Sequence, residues 1–165
     1  MLMFLLIVIG FASRFIPHVS QFTAILAVAM LAGMYLKPRF AIITPLVLMV
    51  ASDFIMGFHD TMFYTWGSML AISAIGLWLR QRKSLPVVVG GSVLSAVLFF
   101  VVTNFGAWLS PLYPNTWEGL QACYVMAIPF FRSTLVSTVA YSIVLYVAYE
   151  WALKRSQGTS LARML

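Results

Sequence analysis

The chain has 165 residues, of which 62% are hydrophobic and only 8% are charged. Soluble globular domains carry roughly 25% charged residues, so this composition excludes a soluble protein and indicates an integral membrane protein. The formal net charge of +6 is explained by membrane topology, as described below, and we expect no nucleic-acid partner. The lipid bilayer is the first partner that the sequence predicts.

Apolar segments separated by prolines and charged residues predict an all-α integral membrane bundle in a single domain, 1–165. A transmembrane helix needs about 20 apolar residues, so a chain of this length holds five or six of them. We predict spans near 1–16, 22–36, 40–58, 62–79, 86–109 and 130–153. The first segment is either a short span or a cleaved signal peptide, and we favour the span because no lysine or arginine precedes its apolar run.

The segment 110–129 differs from the predicted spans because it carries prolines and polar residues. Pro111 and Pro114 are expected to break the preceding helix, since proline lacks an amide donor and clashes with the turn before it. Thr116 suits a helix N-cap and Pro129 marks the far end, which leaves a helix of about three turns. Such a helix is too short to cross a bilayer but can lie in its interface. We therefore predict a short outer interfacial helix that acts as a lid.

Basic residues cluster on one side of the six-span topology. Lysine and arginine near span ends are retained in the cytoplasm, so their positions set the orientation. Most of them fall on the same side, namely Lys37, Arg39, Arg80, Arg82, Lys83, Lys154, Arg155 and Arg163. We predict that both termini are cytoplasmic and that the loops near 14–21, 57–61 and 110–129 face outward.

This topology gathers polar and aromatic residues from several segments at the outward end. As candidates for contact with a solute we take Asp53, His59, Asn104, Trp117, Glu118, Cys123, Arg132, Arg14 and His18. Asp53 is the most informative, because an ionisable group within a span is costly unless it is paired, hydrated or neutralised. It either contacts a ligand, forms a structural ion pair with Arg14 or Arg132, or caps the end of its helix.

The histidines and the cysteine leave alternatives open. His18 and His59 either bind a ligand, sense pH or lie in hydrated loops. Cys123, His18, His59 and Asp60 have suitable donor atoms for a metal, but no local ligand spacing supports a metal site. We predict no metal and no other cofactor, with Cys123 as a small packing residue.

A polar stripe runs along the last predicted span. Its members share one helix face and are Thr134, Ser137, Thr138 and Tyr141. Such a stripe either bonds neighbouring helices or lines a cavity, and packing is the simpler interpretation.

Four stretches of the chain carry a resemblance to a known family. They are R-F-I-P-H at Arg14 to His18, S-D-F-I-M-G-F-H at Ser52 to His59, T-N-F-G-A-W at Thr103 to Trp108, and the stretch from Tyr113 to Arg132. With these stretches the chain resembles a family of small, largely uncharacterised bacterial membrane proteins described as candidate transport proteins. The resemblance implies a multi-pass protein of the bacterial inner membrane.

The overall plan is similar to that of the substrate-binding (S) components of energy-coupling-factor vitamin transporters. That resemblance implies a ligand pocket near the outer face and a transporter coupling module as partner. S components usually carry an alanine-x-x-x-alanine surface on the first helix for docking that module. The segment from Met1 to Ser13 has no such pattern.

The sequence therefore favours capture and uptake of a small solute at the outer face, with a vitamin or cofactor precursor as one candidate class. Two alternatives remain. A membrane-embedded enzyme would use Asp53 or His59 as general base, and a structural accessory subunit would use the outer face to hold another protein. No nucleophile, base and orienting residue stand out as a set, so we expect no enzyme.

Overall fold

The structure is a computed structural model that describes residues 2–15 and 23–156. Within this part of the chain every regular element is a helix. The helices are α1 (Leu2–Phe15), α2 (Ile25–Tyr35), α3 (Pro38–Met56), α4 (Met62–Leu79), α5 (Leu85–Leu109) and α6 (Trp117–Ser156). The predicted all-α class is thereby confirmed.

Helices α3 to α6 are each long and apolar enough to cross a membrane. Their surfaces carry large exposed apolar side chains, including Phe54, Trp78 and Val136, as expected where a helix faces lipid. Helices α1 and α2 have 14 and 11 residues. At about 1.5 Å per residue they reach roughly 21 and 17 Å, which is less than the hydrocarbon thickness of about 30 Å. The count of six spans therefore stays a prediction.

Helix α2 forms the centre of the bundle. It packs against each of the other five helices, and every residue from Ile25 to Met34 is buried. A helix that is apolar on all sides is stable only where other helices or lipid surround it. The small residues along α2 allow the neighbouring helices to approach closely.

Helices α2 and α4 approach each other closely at two glycines. A Cβ atom on Gly76 would lie 2.1 Å from the Met30 carbonyl oxygen, and one on Gly33 would lie 2.3 Å from the Ser73 carbonyl oxygen. Both distances are far below van der Waals contact, so only glycine fits at either position. The two helix backbones therefore touch at this crossing.

The predicted break at Pro129 is wrong, because α6 continues through it from Trp117 to Ser156. The expected lid and the expected last span are one helix of 40 residues. Proline removes one backbone hydrogen bond, but a membrane helix tolerates this loss when neighbouring helices hold it on both sides.

The first turns of α6 run alongside α5 and do not lie across the end of the bundle. The Cys123 thiol contacts the Asn104 carbonyl oxygen at 3.3 Å, and the Tyr124 hydroxyl donates to the Val101 carbonyl oxygen at 2.7 Å. These contacts explain the continuous helix, since they fix the segment before Pro129 to α5. The lid prediction is corrected accordingly.

The start of α6 follows the predicted chemistry. The Gly119 amide donates to the Thr116 hydroxyl oxygen at 3.2 Å, which is the N-cap bond expected from the sequence. A Cβ on Gly119 would lie 2.0 Å from the Pro114 carbonyl oxygen, so the preceding loop folds tightly against the first turn. Trp108 also donates its indole N–H to that oxygen, at 3.1 Å.

Candidate functional site

A cavity of about 420 Å³ lies between the start of α2, the ends of α3 and α5, the start of α4 and the middle of α6. We call this region the cavity end of the bundle. The connections from α3 to α4 and from α5 to α6 lie on the same side. The lining residues come from these five helices and from the connections before α2 and α4, so the cavity exists only in the assembled bundle.

The connection from α3 to α4 supplies part of the wall. Gly57 ends α3 with a φ of 101°, a backbone conformation that glycine adopts without strain. The chain then turns and brings His59 and Thr61 into the lining. The His59 Nδ1 atom and the Thr61 hydroxyl oxygen are 2.9 Å apart and share a hydrogen bond.

Aromatic and methionine side chains provide the apolar part of the wall. The residues concerned are Phe99, Phe100, Phe130, Phe131, Met49, Met56 and Met69. The ring centroids of Phe100 and Phe131 are 4.6 Å apart, which joins α5 to α6 at the cavity. Aromatic rings present large flat surfaces, and methionine adapts to irregular shapes.

Hydroxyl and amide groups provide most of the polar part, and several of them bond to the backbone one turn earlier. The hydroxyls of Thr65, Thr103 and Thr134 donate to the carbonyl oxygens four residues earlier, at 3.2, 2.7 and 3.0 Å. The Asn104 amide group donates to the Phe100 carbonyl oxygen at 2.7 Å. These bonds fix the side chains, so the polar pattern of the wall is largely preformed.

Two of the predicted site residues, His59 and Asn104, lie in this wall. Cys123 is 2% exposed, and its thiol contacts the Asn104 backbone. Its place is therefore beside the cavity, in the contact between α5 and α6. Groups of three or more histidine, cysteine, aspartate or glutamate residues that could hold a metal are absent from the described residues.

Asp53 makes a contact within the bundle, and a structural role was one of the alternatives that the sequence left open. It is 1% exposed and lies outside the cavity lining of the described residues. Its Oδ2 atom accepts a hydrogen bond from the Trp66 indole at 2.8 Å, which connects α3 to α4. Asp53 therefore has a structural bond within the bundle.

The other candidates that the structure describes lie outside the cavity lining. Trp117, Glu118 and Arg132 are exposed on the surface of α6 and are not among the lining residues. The Arg14 side chain and the whole of His18 lie outside the described residues. The proposed ion pair between Asp53 and Arg14 therefore stays a prediction.

The polar stripe of α6 divides between the two alternatives that the sequence left open. Thr134 and Ser137 line the cavity, whereas Thr138 is fully buried and does not. The Thr138 hydroxyl donates to the Thr134 carbonyl oxygen at 2.7 Å. Part of the stripe therefore lines the cavity, and Thr138 packs inside the bundle.

The opposite end of the bundle holds a polar network that the sequence analysis missed. We call this end of the bundle the basic end, because the basic residues of the α2–α3 and α4–α5 connections and of the end of α6 lie there. The Tyr35 hydroxyl donates to Glu150 Oε1 at 2.7 Å, and the Lys83 ammonium lies 4.2 Å from the centre of the Tyr35 ring. A carboxylate inside an otherwise apolar stretch was the available signal, as it was for Asp53.

Further contacts fasten the α4–α5 connection to the basic end. The Arg80 guanidinium donates to the Leu36 carbonyl oxygen, and the Tyr146 hydroxyl donates to the Lys83 carbonyl oxygen at 3.4 Å. Burial lowers the pKa of the Lys83 amine, while Glu150 acts to raise this pKa and Arg80 acts to lower it. The network ties the end of α2 to α6 and to the α4–α5 connection.

Comparison with known proteins gives a family and no function. No curated protein and no solved structure matches the chain. One family model matches residues 1–161, which is nearly the whole sequence. The chain therefore belongs to the family of unknown function DUF6580.

Proposed function

We propose that this protein captures a small solute in the cavity end and serves in its uptake across the membrane. The observation that carries the proposal is the cavity of about 420 Å³ between five helices of a membrane bundle. Small-molecule sites have volumes of about 300 to 1,000 Å³ and combine apolar walls with a few fixed polar groups. This cavity has both properties.

The position of the cavity also supports uptake. Lys37, Arg39, Arg80, Arg82, Lys83, Lys154 and Arg155 belong to the basic end. Positive residues are retained in the cytoplasm, so the proposed orientation places the cavity end on the outer side of the inner membrane. A solute would then enter from outside and be held above the α2–α4 crossing.

The test is co-purification of a small molecule with the full-length protein. The protein is extracted in a mild detergent and measured by native mass spectrometry, with and without extracts of the host cell. We expect a bound molecule in the parent protein. Ala127 lines the cavity, so Ala127→Trp should remove that molecule by filling the space.

Ala140 offers a matched control, because it is exposed on the same helix. Ala140→Trp should retain the bound molecule at the level of the parent protein. If both variants retain it, the molecule is not in the cavity. If neither the parent nor the control binds any molecule from the extracts, the proposal of solute capture is refuted.

A membrane enzyme is the second candidate, and the His59–Thr61 hydrogen bond favours it. A histidine bonded to a hydroxyl is the arrangement of a general base and a nucleophile. Under solute capture, His59→Ala weakens binding by a modest factor and no product forms. Under enzymatic function the parent protein converts the ligand to a product, whereas the same variant still binds the ligand but forms no product. Mass spectrometry of the incubated ligand detects the product.

A further inference from the structure

We infer that the solute is an uncharged molecule with a flat aromatic body and hydrogen-bond donors at its edge. This inference rests on the proposed function, since it names the class of solute that the cavity takes. Three properties of the lining carry it, namely its flat apolar surfaces, the direction of its hydrogen bonds and its charge.

The apolar surfaces favour a flat body. Phe99 and Phe100 on α5 lie in the same wall as Phe130 and Phe131 on α6. Rings on two adjacent helices provide surfaces against which a planar molecule packs in stacked or edge-to-face contact. The methionines on α3 and α4 belong to the same lining and adapt to the outline of the molecule.

The direction of the hydrogen bonds favours donors on the solute. A threonine hydroxyl has one hydrogen and two lone pairs. In Thr65, Thr103 and Thr134 that hydrogen is given to the backbone carbonyl four residues earlier. What these hydroxyls can still offer to a bound molecule is lone pairs, so they accept hydrogen bonds from it.

Asn104 adds to the same pattern. Its amide nitrogen gives one of its two N–H groups to the Phe100 carbonyl oxygen, so the side-chain oxygen remains as a further acceptor and the second N–H remains as a donor. A solute with only acceptors at its edge would find no donor at Thr65, Thr103 or Thr134. A solute with N–H or O–H groups would form bonds with several residues at once.

The charge of the lining favours a neutral solute. Among the described lining residues there is no lysine, arginine, aspartate or glutamate, and His59 is the one with an ionisable side chain. A charged group that enters a cavity without a partner of opposite sign loses its hydration and gains little. Asp53 bonds to Trp66, and Arg132 is exposed on α6, so neither belongs to this lining.

The test uses four probes on each of four aromatic scaffolds, namely benzene, pyridine, indole and purine. The probes carry a primary amide, an N,N-dimethylamide, a carboxylate or a trimethylammonium group, so donors and charge change while the aromatic ring stays the same. Binding to the full-length protein in detergent is measured by ligand-observed NMR. We expect primary amides to bind about tenfold more tightly than dimethylamides, and both to bind more tightly than the charged probes.

Two threonine variants connect this preference to the wall. Thr134→Val removes an acceptor from the cavity with little change of shape, and we expect it to reduce the preference for primary amides severalfold. Thr138→Val is the matched control, because Thr138 makes the same kind of bond on the same helix but is not in the lining. It should leave the preference unchanged.

The outcomes separate this inference from the proposed function. Tighter binding of the carboxylate or trimethylammonium probes would overturn the inference while leaving solute capture intact. Equal binding of primary and dimethylated amides, or equal effects of the two valine variants, would also overturn it. If no probe binds and no molecule co-purifies with the parent protein, both proposals fail together.

Discussion

The α2–α4 crossing gives a sharp test of the fold, because α4 contains one glycine in the contact and one outside it. A Cβ on Gly76 would lie 2.1 Å from the Met30 carbonyl oxygen and 2.9 Å from Gly33 Cα. A Cβ on Gly67 would meet nothing within 4 Å. Replacement by alanine is therefore the same chemical change in the same helix at both positions, but it creates a steric clash only at Gly76.

The magnitude follows from the geometry. Ordinary contact begins at about 3.4 Å, so Gly76→Ala requires the helices to separate by about 1.3 Å. Overpacking of a core costs about 1 to 3 kcal/mol, and the upper value applies here because backbone atoms cannot rotate away. Replacing glycine by alanine in a helix contributes about 1 kcal/mol of stability in both variants. We expect Gly76→Ala to lower the free energy of unfolding by about 2 kcal/mol and Gly67→Ala to leave it equal or higher.

The assay is equilibrium unfolding in mixed micelles of a mild detergent and sodium dodecyl sulfate, followed by tryptophan fluorescence. Gly33→Ala should resemble Gly76→Ala, since its Cβ would lie 2.3 Å from the Ser73 carbonyl oxygen. The double variant should cost less than the sum, because the first alanine already separates the helices. Equal stability of the Gly76 and Gly67 variants would refute the crossing.

Three further predictions concern single contacts. Tyr35→Phe should lower the free energy of unfolding by about 1.5 to 3 kcal/mol, because it removes a hydrogen bond to the Glu150 carboxylate; unchanged unfolding would mean that this bond contributes nothing. Trp66→Phe should lower the free energy of unfolding by about 1 to 3 kcal/mol, because it removes the hydrogen-bond donor of the buried Asp53. A smaller loss of stability than that caused by replacing an exposed tryptophan with phenylalanine would contradict this. Cys123 is 2% exposed, so a maleimide reagent should label it only after unfolding, and rapid labelling of the native protein would contradict its place between α5 and α6.

The amino-acid sequence determined the class of protein and the approximate course of the chain. The high apolar content predicted a helical membrane protein, since backbone polar groups in lipid must be satisfied within each segment, and four helices are long and apolar enough to cross a membrane. Prolines and charged residues gave the approximate limits of the helices, as at Lys37 before α3 and Arg80 after α4. The N-cap role of Thr116 was also predictable, because it depends only on residues within one turn.

The candidate site was only partly predictable, since His59 and Asn104 were found but the threonine and phenylalanine wall was not. Asp53 attracted attention because a charge in a span is costly, yet that cost is equally met by a structural partner such as Trp66. The sequence shows that a polar residue needs a partner but does not show which one. Only the packing of α3 against α4 decided it.

The arrangement of the helices was decided by the tertiary structure alone. In a soluble protein the apolar face of a helix points to the core, so periodicity reveals the packing. In a bilayer, lipid and core are both apolar, and that signal is lost. The sequence therefore did not distinguish the buried α2 from its lipid-facing neighbours. The sequence also did not show that α6 stays helical through Pro129. The contacts with α5 that allow this join residues far apart in the chain.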